Sequence, residues 1–163
     1  MIGRAPTPYD RALAVLALAP ALVLAGCSSS STPNPCSLLS QGAIKDATGV
    51  AVQKGAVDVE LTTATQSTCA WRPKSGSFPV IQVYLSAGAE QVAKQRSDAS
   101  SGFGVAAVDV TVAGAHDAYA AGNGSLIGMV VGDYFVQVAY LTPGTADVLD
   151  KTTALANDAA AAF

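Results

Sequence analysis

The chain has 163 residues, half of them hydrophobic and only 13% charged, with a formal net charge of −3. So few cationic side chains exclude a nucleic-acid binder and a polybasic grip on anionic lipid, both of which work through clustered Lys and Arg. The length allows one domain with a single core, and a single histidine cannot supply the two or three imidazoles of the histidine-rich zinc sites.

The chain opens as an export signal. Arg4 and Arg11 lie in a polar start, and an apolar run follows from Ala12 to Gly26. With Pro20 inside it, this run is too short for a bilayer-spanning helix, which needs ~20 apolar residues. Its end, Leu24-Ala25-Gly26-Cys27, resembles the lipobox of bacterial lipoproteins, in which the cysteine thiol is diacylglycerated and the chain is cut just before it. The predicted segments are a signal over 1–26, a lipidated Cys27 with a Ser/Pro tether over 27–35, and one globular domain over 36–163. Each buried acyl methylene adds ~0.8 kcal/mol of anchoring, so no protein helix has to span the membrane. Ser28 to Ser31 is flexible and Thr32-Pro33-Asn34-Pro35 favours extended backbone. The tether reaches at most ~28 Å, which keeps the domain near the membrane surface. Removal of the signal takes away Arg4, Arg11 and Asp10, leaving seven basic residues against eleven acidic ones and a net charge of −4.

Once Cys27 carries lipid, Cys36 and Cys69 remain for a disulfide in an oxidising compartment. Two free thiols, or a redox or metal pair, are the alternatives, but there is no Cys-x-x-Cys and the one histidine lies far along the chain.

The first predicted element of the domain is a helix over Leu38 to Thr48. Ser37 or Ser40 caps it, Leu39, Ala43, Ile44 and Ala47 form its apolar side, and Gly49 stops it. Residues 57–61 (VDVEL) alternate as a half-buried strand with Val57, Val59 and Leu61 inward. "CAWRP" and residues 78–85 follow as strands, with Ile81, Val83 and Leu85 on one face. A weakly amphipathic helix over 89–99 ends at "SSGFG", and 108–112 (VDVTV) alternates again. Residues 126–141 read as a hairpin turning at Gly132-Asp133, which places Ile127, Met129, Val131, Tyr134, Val136 and Val138 on one face. Thr145 caps a last helix running to about Ala162 with a stripe of Val148, Leu149, Thr152, Leu155, Ala156 and Ala159. The expected class is α+β: an antiparallel sheet with helices against one face, a degenerate helix-plus-three-strands repeat, and a C-terminal helix.

"PCSLLSQGAIKDATG" after a lipobox and tether, then "CAW", "VTVAGAHDAYAAG" and "VVGDYFVQVAY", resembles a family of actinobacterial surface lipoproteins that carry a domain of unknown function. The likeness covers nearly the whole mature chain. It implies a membrane anchor and a disulfide, and it brings no catalytic residues. Where the family tends to have Gly-Leu-Gly-Asp, this chain has Gly114-Ala115-His116-Asp117.

His116-Asp117 is the one acid/base pair with a group titrating near neutrality. It lacks a Gly-x-Ser-x-Gly nucleophile turn, and the carboxylates lack calcium-loop spacing. No catalytic residue, metal or cofactor is therefore assigned. Trp71, two residues from Cys69, either packs on the disulfide or binds. The candidate binding face comprises Trp71, Tyr84, Val130 and Phe135, on a sheet side that also carries Val80 and Leu126 and is interrupted by Gln82, Gln137 and Gly128. The function expected is a non-catalytic lipoprotein on the extracytoplasmic face of the cell membrane, held by the diacylglyceryl group on Cys27 and binding an envelope protein. A carrier or sensor of a small apolar or cell-wall-derived ligand, or a hydrolase using His116, are the alternatives.

Overall fold

A computed structural model describes residues 32–144 and 147–163. The segments expected to be the export signal, the lipidated Cys27 and most of the tether, and the expected helix cap Thr145, lie outside the described residues. Pro35–Ser37 form a single 3-10 turn, and helix α1 spans Gln41–Thr48. Its start is set by Ser40, whose side chain accepts the Ala43 N–H at 3.0 Å, and its end by Gly49 in the left-handed conformation. Ile44 and Leu39 are buried as expected.

Strand β1 is only Ala56–Val57. The alternation of 57–61 does not carry it further, because the Asp58 carboxylate accepts the N–H groups of Glu60 and Leu61 (3.1 and 3.3 Å) and turns the chain away. Val59 is consequently 80% exposed and Leu61 49%, where inward side chains were expected. Strands β2 (Gln66–Trp71) and β3 (Val80–Ala87) follow. Helix α2 covers Val92–Phe103, running through Gly102 before Gly104 stops it in the left-handed region. Strand β4 (Val108–Asp109) is as short as β1, although Val110 and Val112 still point inward beyond it. Strands β5 (His116–Ala121), β6 (Leu126–Val131) and β7 (Tyr134–Leu141) complete the sheet, and helix α3 spans Leu149–Ala160. The Asp147 carboxylate accepts the Leu149 N–H at 3.0 Å at the start of α3. Val148, Thr152, Leu155, Ala156 and Ala159 form its buried stripe.

All pairings are antiparallel, and the seven strands lie in the order β1-β2-β3-β7-β6-β5-β4. The α+β class, the antiparallel sheet and the C-terminal helix agree with the sequence reading. The turn at Gly132-Asp133 pairs Val131 with Tyr134, the register that the hairpin pattern requires. Cys69, Val83, Val138, Ile127 and Ala120 stand in one row across five strands, and with their neighbours they form the main core beneath α1 and α3. The opposite face shows the rows Thr68-Tyr84-Gln137-Gly128-Tyr119 and Ala70-Gln82-Ala139-Leu126-Ala121.

β3 and β6 each run antiparallel to β7 and so run parallel to each other. Two three-stranded meanders therefore flank β7 in mirror order with like directions, which is a rotation about an axis along β7. Such a rotation exchanges the faces of the sheet. α1 accordingly precedes the first meander on the core face, whereas α2 lies on the other face, against β5 and β6. The repeat read from the sequence counted 108–112 and the two hairpin strands in its second unit; the structure instead has β5 there, a strand the sequence reading left as the approach to a turn, and places β7 outside both units.

Candidate binding face

α2 divides the second sheet face into a covered and an open half. Over β5 and β6 it lies on Tyr119, whose ring rests on Gly128 so closely that a Cβ there would fall 2.4 Å from the tyrosine Cζ. Glycine at 128 is what makes room for the ring. Arg96 of α2 holds this arrangement at three points. Its guanidinium lies 5.8 Å from the Tyr119 ring centroid, meets the Asp109 carboxylate at 2.5 Å, and donates to the Ala107 carbonyl at 3.1 Å. Ser100, one turn on, accepts the Ala107 N–H at 3.0 Å. The outward backbone groups of Ala107 beside β4 are thus satisfied by α2 side chains, which blunts that edge of the sheet. Burial raises the Tyr119 hydroxyl to a pKa of about 12, opposed by the Arg96 charge. That hydroxyl is buried without a hydrogen-bond partner among the described residues.

Of the four residues expected on the binding face, the structure places three on this side and removes one. Val130 and Phe135 belong to it but are buried. Tyr84 is half-buried, makes an edge contact with Phe135 (centroids 6.1 Å apart), and donates its hydroxyl to Gln66 Oε1 at 2.8 Å. Trp71 is on the core side, 1% exposed, because the two-residue period that aligns it with Cys69 carries it inward. A Cβ on Gly55 would fall 2.6 Å from the indole and 2.9 Å from Cys69 Sγ, so the backbone at 55 closes over both. Cys69 is bonded to Cys36, as expected, with Cα atoms 5.1 Å apart.

The open half spans β2, β3 and β7, with Gln82 and Gln137 half-buried at its centre. Leu61, carried there by the Asp58 turn, stands at its rim together with Leu126 and Leu141. Leu61 was not assigned to this face because the alternation of 57–61 hid the turn, and Thr68 was not because β2 begins at Gln66, ahead of the strand expected from Cys69.

His116 Nδ1 lies 2.8 Å from Asp117 Oδ2 on an exposed bulge of β5, with Asp117 at φ 51°. No further side chain hydrogen-bonds the pair among the described residues, so it presents an imidazole beside a carboxylate without an aligned nucleophile. Among the described residues there is no group of three or more His, Cys, Asp or Glu placed to hold a metal ion, and no helix is long and apolar enough to cross a membrane.

No family model, curated protein or solved structure matches this chain.

Proposed function

We propose that this chain is a lipid-anchored, non-catalytic lipoprotein of the bacterial envelope whose domain binds an envelope protein through the open half of its sheet. The observation that carries the reading is the half-buried surface over β2, β3 and β7 around Gln82, Tyr84, Gln137 and Leu141, outside the area under α2 and with Leu61 of the Asp58 turn at its rim. A shallow, partly accessible face suits a macromolecular partner better than it suits enclosure of a small carried molecule. The lipobox-like Leu24-Ala25-Gly26-Cys27 and the short tether support an anchor that holds this face near the extracytoplasmic membrane surface. The resemblance of the chain to actinobacterial surface lipoproteins supports the same location.

The test compares the wild type with Tyr84→Arg in affinity purification from solubilised envelopes. A defined protein recovered with the wild type and lost from the folded variant agrees with the reading. Equal recovery by both overturns the assignment of the face.

A further inference from the structure

The open half contains a pocket of about 230 Å³ whose lining holds no charged side chain. Leu61, Leu126 and Leu141 form its walls and Ala139 its floor. Gln82 and Gln137 enter it from neighbouring strands, and neither carboxamide makes a hydrogen bond with the described residues. Thr68 also lines it. Its hydroxyl is buried and has no partner among the described residues, so a hydrogen-bonding site is left unfilled at this position. The Tyr84 ring is held at the side of the pocket by its bond to Gln66, so the opening does not depend on a free rotamer.

Three properties identify the occupant. The uncharged lining excludes an ionised group, whose burial without a partner is costly. The volume is below the ~300 to 1,000 Å³ of pockets for drug-sized ligands and suits a single anchoring side chain. Two free carboxamides supply the donor and acceptor pairs that a peptide group needs.

We propose that this pocket receives one uncharged apolar side chain of the envelope protein partner, of leucine or phenylalanine size, and that Gln82 and Gln137 hold the adjoining peptide group. The assignment rests on the reading of the open face as a partner surface, and it adds the chemistry of the partner's anchor.

The experiment uses the full-length lipoprotein in membranes and N-acetyl-photoleucine methylamide, a diazirine analogue of a capped leucine, with the site of labelling mapped by mass spectrometry. Label is expected on peptides containing Leu61, Gln82 and Gln137. Excess N-acetyl-leucine methylamide should suppress it by about tenfold, and the aspartate counterpart should not, a difference on the scale of 1.4 kcal/mol. Gln82→Arg and Gln137→Glu, each checked for an intact disulfide and an unchanged melting temperature, should both lose the label. Labelling scattered over exposed residues such as Phe78, equal competition by the aspartate compound, or persistence in both folded variants overturns the pocket. Stronger competition by decanamide than by the leucine compound assigns the pocket to an acyl chain and overturns the side-chain proposal. Capture of a partner through the face with an unlabelled pocket defeats this inference alone, whereas a labelled pocket with no captured partner defeats the reading on which it rests.

Discussion

Arg96 and Tyr119 are the contact that fixes α2 to the sheet: the guanidinium stacks 5.8 Å from the ring centroid while its nitrogens reach Asp109 and the Ala107 carbonyl. α2 has no buried residue of its own, unlike α3 with five, so it depends on this side chain more than on apolar burial. Arg96→Ala should cost about 1 kcal/mol, from the lost stacking, the lost carbonyl bond and a salt bridge discounted for the exposure of Asp109. Amide exchange over 92–103 should accelerate while that of β3 and β7 stays unchanged. Arg96→Lys keeps the charge without the planar fork and should recover less than half of the protection.

Tyr119 makes stability depend on pH at the alkaline end. Its folded pKa of about 12 stands above the ordinary tyrosine value of 10.0, because burial disfavours the phenolate. The unfolded chain therefore releases the proton first as pH rises. The neutral hydroxyl's contribution is complete below pH ~10 and is lost between ~10 and ~12, to a total of roughly 2 to 3 kcal/mol. Tyr119→Phe should reduce that loss in urea titrations at pH ~10 to ~12. At pH 7 it should be neutral or stabilising by up to ~1 kcal/mol, since the hydroxyl it removes has no partner.

The Cys36–Cys69 bridge joins the 3-10 turn at Pro35–Ser37 to the β2 end of the buried row, across a separation of 33 residues. Replacing both cysteines by serine should cost roughly 3.5 to 4 kcal/mol in the chain-entropy model. Urea denaturation measures the loss, and a linked peptide in the unreduced protein identifies the bridge directly.

The central strands β3, β6 and β7 were the most legible part of the sequence, whereas β5, also interior, was not read as a strand. Gly132-Asp133 set the hairpin register, and the period-two runs 81-83-85 and 127-129-131 reported their buried face directly. The edges were the least legible. Residues 57–61 and 108–112 carry the same alternation as the interior strands, yet the Asp58 turn ends one and the other pairs for only two residues. Alternation records which side chains can face a core, and side-chain hydrogen bonds to the backbone decide whether the ladder continues. For the same reason Leu61 reached the open face unannounced, and Trp71 left the binding set once its burial beside Cys69 was visible. The role of Arg96 carries no sequence signal, because its partners Asp109 and Tyr119 are distant in the chain.

The proposed lipid anchor predicts a fractionation result. Cys27→Ser should release the protein from the membrane fraction, because no thiol remains to accept the diacylglyceryl group. A variant retained and processed like the wild type contradicts the lipoprotein reading.

The central claim, a membrane-tethered partner surface on the open half of the sheet, is tested most directly by photocrosslinking in intact cells with p-benzoylphenylalanine in place of Leu61 at the rim of that face or in place of Asp158 on the exposed side of α3. A single defined protein adduct from position 61, absent from position 158 and lost with Cys27→Ser, is the result predicted. No adduct at 61, or the same adducts from both positions, would contradict it.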